Sequence, residues 1–371
     1  MRHRGWVTVA TLVGALALAS ANARAQGGAW FADTTVLETP TGILRGSIML
    51  PFALGKFPLV VLISGSGPTD RDGNSLGLPG KNNALGMLAQ ALAERGIASV
   101  RYDKRGVAAS ARAATSEEDL RFEMYADDAA AWVRKFRTDK RFSRIIIAGH
   151  SEGAMLGILA TQRAPADGYI SIAGIARPAD AVLHDQLAAG LPKPVADQAD
   201  AILASLAVGK TVPVPRDMPL SAVFRASVQP YMISWFKWDP AAELAKVKVP
   251  VLILQGTTDI QVAVAEADSL QKAAPTATLV KVEGMNHVLK GVVGDQATQL
   301  RSYSDPALPL VGTVVDAIAK FVKAILQMRQ TREGSEQLAA VLMHDPVPAD
   351  YARDYANLER LGLDRHVLSG N

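Results

Sequence analysis

The sequence predicts an α/β fold, a mostly parallel sheet flanked by helices with a helical insertion. Short apolar runs rich in Val and Ile recur along the chain, as strands buried on both faces require. Longer amphipathic stretches alternate with them, the pattern of crossovers between parallel strands. Gly- and Pro-containing segments mark many of the junctions. The composition fits a globular chain. Of 371 residues, 49% are hydrophobic and 20% charged, which excludes disorder, collagen and coiled coil. The absence of cysteine excludes disulfides, thiolate metal sites and a cysteine nucleophile.

Taken in order, residues 34–37 and 43–50 read as an antiparallel pair around the turn signal Pro40-Thr41-Gly42. Residues 59–63 form a continuous apolar run, hence a buried strand. The spacing over 83–95 predicts a helix that stops at Gly96, and a strand follows over 97–102. Residues 117–136 predict a long amphipathic helix with acids early and Arg134, Lys135 and Arg137 late, an order that suits the helix dipole. A strand is expected at 145–148, a helix at 154–162 and strands at 169–173 and 251–254. Beyond these come a helix at 264–274, a strand at 278–282 and a helix at 311–328. No internal repeat is present.

The ends and one interior stretch depart from this alternation. Arg2 and Arg4, the apolar run 7–18 and Ala23-Arg24-Ala25 have the plan of an export signal over 1–25. The run is too short for a stable span of about 20 residues, so no membrane span is expected after cleavage. Cleavage after Ala25 would remove three arginines and no acid, lowering the formal net charge from +3 to zero. The basic excess therefore belongs to the signal, and nothing in the remaining charge points to nucleic acid as a partner. An exported protein, periplasmic or secreted, is expected. The α/β core is assigned to 26–177 and 246–328, with a lid-like helical insertion over 178–245. The polar tail 329–371 has no functional reading.

The chemistry centres on Gly149-His150-Ser151-Glu152-Gly153, which directly follows an apolar strand and precedes a helix. A turn this sharp needs small residues where backbone passes backbone. It pushes the serine hydroxyl out of the sheet at a helix N-terminus, where developing negative charge is favoured. A serine needs a base to take its proton. Among six histidines, His287 follows the strand 278–282 and so stands at the same sheet edge as Ser151. His150 is expected to point elsewhere on so tight a turn. Asp259, just after the strand 251–254, is the natural carboxylate to orient the imidazole, with Asp180 as its competitor. Amides of Glu152 and of Ser66, in the Gly-rich loop after strand 59–63, are candidate donors to an oxyanion. That loop lacks the spacing of a phosphate-binding loop.

These residues resemble the α/β-hydrolase superfamily of serine hydrolases, and within it a bacterial esterase and serine-aminopeptidase-like branch. The resemblance covers residues 50–322. It rests on Gly65-Ser66-Gly67-Pro68-Thr69-Asp70-Arg71-Asp72, Arg101-Tyr102-Asp103-Lys104-Arg105-Gly106, the elbow around Ser151, Trp238-Asp239-Pro240, residues 250–259 and Asn286-His287. It implies the α/β-hydrolase fold, Ser151 as nucleophile with Asp259 and His287 as partners, no cofactor or metal, and a small-molecule ester or amide substrate. Ala108 stands where relatives often carry a second glycine.

Ester cleavage is the first functional reading. Amide cleavage by an aminopeptidase is the second, with Glu152 or an acid of the insertion holding the substrate amine. A retired hydrolase fold that only binds is the third. Tyr231, Trp235 and Phe236 concentrate aromatic surface in the insertion, where they would line an acyl pocket or form the insertion's own core. Asp70, Arg71, Asp72, Asp103 and Arg105 read first as an ion-pair network. The sharper alternative is an arginine that binds a substrate carboxylate.

Overall fold

The computed structural model describes residues 30–344 apart from 78, with side chains described as far as 328. The expected export signal and the tail from 345 lie outside the described residues.

One eight-stranded sheet runs through the core in the order β1-β2-β4-β3-β5-β6-β7-β8. Its strands are β1 (Trp30–Thr39), β2 (Gly42–Pro51), β3 (Phe57–Ile63), β4 (Ala98–Tyr102), β5 (Phe142–His150), β6 (Gly168–Ile172), β7 (Val251–Gly256) and β8 (Thr278–Val282). The expected hairpin is present, with β1 and β2 antiparallel and Thr39 opposite Gly42. β2 also pairs antiparallel with β4, and every later pair is parallel. The apolar runs behave as their composition requires: Leu59, Val60, Val61, Ile146, Ile147 and Leu254 are fully buried. The edge strand β1 is mostly exposed.

Helices cover the sheet. They are α1 (Ala84–Ala93), α2 (Phe122–Arg137) and α3 (Glu152–Arg163). α2 begins later than the sequence pattern suggests, and its buried face carries Phe122, Tyr125, Ala126, Ala129, Trp132, Val133 and Phe136. Trp132 packs on Tyr102 of β4 with ring centroids 5.4 Å apart. Between β6 and β7 lie α4 (Ala179–Gly190), α5 (Lys193–Ala207), α6 (Ser221–Phe224), α7 (Gln229–Trp235) and α8 (Pro240–Leu244). α9 (Val264–Ala273) joins β7 to β8, and α10 (Gln296–Ser302) follows β8. The last helix, α11 (Gly312–His344), runs past the expected end at 328. The tail is polar, but its Gln, Arg, Glu, Leu and Ala are strong helix formers, and no proline interrupts it before Pro346. A second unit of the chain begins at Ala324, within this helix. No helix among the described residues is long and apolar enough to cross a membrane.

A short 3-10 helix at Ala108–Ala113 was not foreseen. Ala108 has φ of 44°, a left-handed conformation. Glycine adopts it without strain, whereas Ala108 adopts it with a Cβ in place.

Chain order reverses between β3 and β5: the chain steps outward from β3 to β4, then returns past β3 to β5. At such a switch point the connections leave in opposite directions, and a crevice opens at the carboxyl ends of the strands. The loops after β3 and β5 meet there.

Candidate active site

Ser151 joins β5 to α3 with φ 56° and ψ −122°, a combination L-residues rarely adopt. Its amide donates to the carbonyl of Ile172 at 2.9 Å, which ties the turn to β6. The flanking glycines are required sterically. A Cβ on Gly149 would lie 1.9 Å from the carbonyl oxygen of Gly153, and one on Gly153 would lie 2.4 Å from that of Ile63. Backbone occupies those positions, so no rotamer relieves the clash. Gly149→Ala is expected to destabilise the fold by more than about 3 kcal/mol. A shift of the urea midpoint measures it.

The acid and the imidazole arrive on the loops after β7 and β8. A Cβ on Gly256 would lie 2.0 Å from the Met285 oxygen, so glycine lets these loops touch. Hydrogen bonds then join them: the Thr257 amide to the Val282 carbonyl and the Thr258 amide to the Met285 carbonyl, both 3.1 Å. Asp259 Oδ2 accepts from His287 Nδ1 at 2.8 Å. Its Oδ1 accepts from the amides of Gln261 and Val262 at 2.8 and 3.0 Å. Burial disfavours the charge on Asp259, but His287 and these two amides outweigh it and hold the carboxyl below its usual range. A carboxylate on Nδ1 fixes the proton there and leaves Nε2 as the basic nitrogen. Asn286, fully buried, accepts on Oδ1 from the Lys290 amide at 3.0 Å and steadies the turn that carries His287. Asp180, the competitor, has a buried oxygen without a partner and does not reach His287.

Ser151 and His287 line one cleft of about 200 Å³, together with Gly65, Ser66, Thr69, Asn82, Gln261 and Tyr303. No hydrogen bond joins the Ser151 hydroxyl to the His287 ring in this structure. Such bonds commonly tighten only with substrate in place. A Cβ on Gly65 would sit 3.2 Å from the Cβ of Ser151, so the loop after β3 runs directly beside the serine. Among the described residues, no protein acceptor takes the amide hydrogen of Ser66 or of Glu152. Glu152 opens α3, where amides have no intrahelical partner. The loop after β3 also meets the segment after β8 beside the cleft, where Ser304 Oγ donates to the Pro79 carbonyl. No group of three or more acidic or histidine side chains among the described residues is arranged to hold a metal.

Several known proteins are similar to this chain. The family described as "Serine aminopeptidase, S33" matches residues 77–234. Esterase EstD of Thermotoga maritima is 30% identical over 249 residues, 66% of this chain and 58% of EstD. The chain thus spans less than two thirds of that relative. Among solved structures, Est1E of Butyrivibrio proteoclasticus superposes with a TM-score of 0.51 at 17% identity, covering 79% of this chain and 99% of Est1E. An esterase of Pyrococcus furiosus gives 0.50 at 14% identity, covering 80% and 91%. The chain has the α/β-hydrolase fold.

Other parts of the site correct the sequence reading. Tyr231, Trp235 and Phe236 are not among the residues that line the cleft. All three are buried: Trp235 stacks on Phe122 of α2 with centroids 5.6 Å apart, Tyr231 meets Tyr125 of α2 at 5.4 Å, and Phe236 packs beside Trp235 at 6.3 Å. The insertion spends its aromatics on its own attachment. None of its residues is among those lining the cleft, whose walls come from 65–82, 150–151 and 261–303.

The charged loop residues pair with one another. Arg71 Nη2 meets Asp103 Oδ2 at 2.6 Å, Arg101 meets Asp72 at 2.6 Å, and Arg105 meets Asp128 at 2.5 Å. Asp70 accepts from the amides of Asp72 and Asn74 at 2.9 Å. The network steadies the loop after β3, and Arg71 is already committed to Asp103. Glu152, expected as a possible holder of a substrate amine, is buried and paired with Lys104 at 2.9 Å.

His150 does not point away from the site. Its ring lies 4.8 Å from that of His287, and its Nε2 is 2.8 Å from the His287 carbonyl oxygen. A carbonyl only accepts, so Nε2 carries the proton. Pattern reasoning missed this contact because it depends on where a loop 137 residues away folds back. Burial, aided by the His287 ring, pushes the His150 pKa down to about 4. The unfolded chain therefore takes up this proton near pH 6.5 and the native protein only near 4. Stability contributed by neutral His150 is complete above pH 6.5 and falls as pH drops through that window, by up to about 3 kcal/mol. Urea unfolding at pH 7 and pH 4.5 should show a smaller acid loss in His150→Gln than in the wild type.

Proposed function

We propose that this α/β-hydrolase cleaves small neutral carboxylic esters through an acyl-Ser151 intermediate. The observation that carries the reading is the buried Asp259–His287 hydrogen bond at the cleft where Ser151 is held on its strained turn. His287 Nε2 takes the Ser151 proton as Oγ bonds to the ester carbonyl carbon. The carbonyl oxygen becomes an oxyanion held by the amides of Ser66 and Glu152. The C–O bond to the alcohol breaks, and His287 returns the proton to it. Water then repeats the sequence on the acyl-enzyme, releasing the acid and restoring Ser151. Asp259 keeps the imidazole oriented and stabilises its cation.

The similarity to EstD supports an ester as substrate, and the matched serine aminopeptidase family supports an amide. The cleft favours the ester. No Asp or Glu is among the described residues that line it, and Lys104 already neutralises Glu152, so no carboxylate is free to hold a substrate ammonium. Parallel assays with p-nitrophenyl acyl esters and aminoacyl anilides test this. Ester turnover together with labelling by a fluorophosphonate probe is expected. Turnover of anilides alone would reverse the two readings, and a folded protein that neither turns over esters nor takes the label would remove the enzymatic one.

We also propose export, on the charge and apolar pattern of residues 1–25. N-terminal sequencing of the protein from its producing cell should begin at Gln26. A start at Met1 would overturn export by cleavage.

A further inference from the structure

Lys104 lies in the turn after β4, and its side chain is 2% exposed. Its Nζ donates to the Gly65 carbonyl at 2.5 Å and to Glu152 Oε1 at 2.9 Å. It also sits 5.3 Å from the centre of the Tyr125 ring. The first oxygen belongs to the peptide whose N–H is the free amide of Ser66, and the second to the side chain of Glu152, whose own amide is also free. In the trans peptide between Gly65 and Ser66, the carbonyl and the N–H point in opposite directions. Lys104 holds the carbonyl from the buried side, so the Ser66 N–H is turned to the opposite side, where Ser66 lines the cleft. The second contact holds the side chain of Glu152, whose own amide opens α3.

We propose that Lys104 is a positioning residue for the oxyanion-binding amides. One buried ammonium sets the rotation of the Gly65–Ser66 peptide and anchors Glu152. By drawing electron density onto the Gly65 oxygen it also makes the Ser66 N–H a stronger donor. The peptide lies between Gly65 and Gly67, whose backbones are little restricted, and its amide matters only once negative charge appears on the substrate oxygen. The effect of Lys104 therefore falls on the transition state and leaves the ground-state complex nearly unchanged. A lysine that only neutralises Glu152 would affect stability alone.

The inference rests on the proposed esterase reading, and the test separates the two. Lys104→Met keeps the length of the side chain and removes the ammonium. Because it strands the Glu152 carboxylate in the interior, the double variant Lys104→Met/Glu152→Gln is measured beside it as a neutral replacement. With an active wild type, kcat on a p-nitrophenyl ester is expected to fall about a hundredfold or more in both variants, with KM within about threefold. A trifluoromethyl ketone gives a second readout. Ser151 Oγ adds to its carbonyl carbon, His287 takes the proton, and the resulting oxyanion occupies the same amides. Its inhibition constant should rise by a factor similar to the loss of kcat, while that of a carboxamide competitor that forms no adduct should hold. A double variant that folds with kcat within threefold of wild type would overturn the proposal, as would equal losses for ketone and carboxamide. A wild type inactive on every ester would count instead against the esterase reading.

Discussion

Replacing Ser151 with Ala is expected to lower kcat on esters about a million-fold, to the residue of rate that bound water and the oxyanion donors still supply. Few substitutions would disturb the fold less. Alanine keeps the Cβ, and the left-handed φ of 56° strains both residues alike, so the unfolding midpoint should hold. Only Oγ is lost, and with it the atom that bonds to the acyl carbon. Labelling by a fluorophosphonate should vanish with the activity. Turnover within a hundredfold of wild type by a folded Ser151→Ala would mean that another nucleophile, or direct attack by water, does the work.

Asp259→Asn is expected to lower kcat about ten-thousand-fold with the fold intact. The hydrogen bonds dictate why. The oxygen facing the amides of Gln261 and Val262 must remain an acceptor, so an asparagine would place its carbonyl there and its NH2 against His287. An NH2 group donates, and Nδ1 would then have to accept. The imidazole proton would move to Nε2, where a base is needed, and the ring could no longer take the serine proton. Steady-state kinetics from pH 6 to 9 would check this. A loss below tenfold would remove Asp259 from its role.

How legible this site was in the sequence depended on what each residue contacts. Ser151, Asp259 and His287 could be singled out because each stands in the connection just after a strand, and parallel strands deliver their ends to one edge. The steric reason for Gly149 and Gly153 is likewise local. His150 and Lys104 could not be read in this way. Both stand inside recognisable motifs, but their partners are a carbonyl at 287 and groups at 65 and 152, and only the packed structure brings these together. Tyr231, Trp235 and Phe236 were placed correctly in the insertion and wrongly at the cleft. Aromatic density marks a buried surface without saying which neighbour buries it, and here that neighbour is α2. The end of α11 was missed because a polar segment carries little periodicity, although its residues favour a helix.

The bond between Ser304 and Pro79 joins two segments that belong to opposite ends of the fold's chain order. It acts as a tie-bar across one flank of the entrance. The bonded residues adjoin Gly80 and Tyr303, which line the cleft away from the atoms that react. Ser304→Ala would therefore cut this tie without touching the proton-transfer chain.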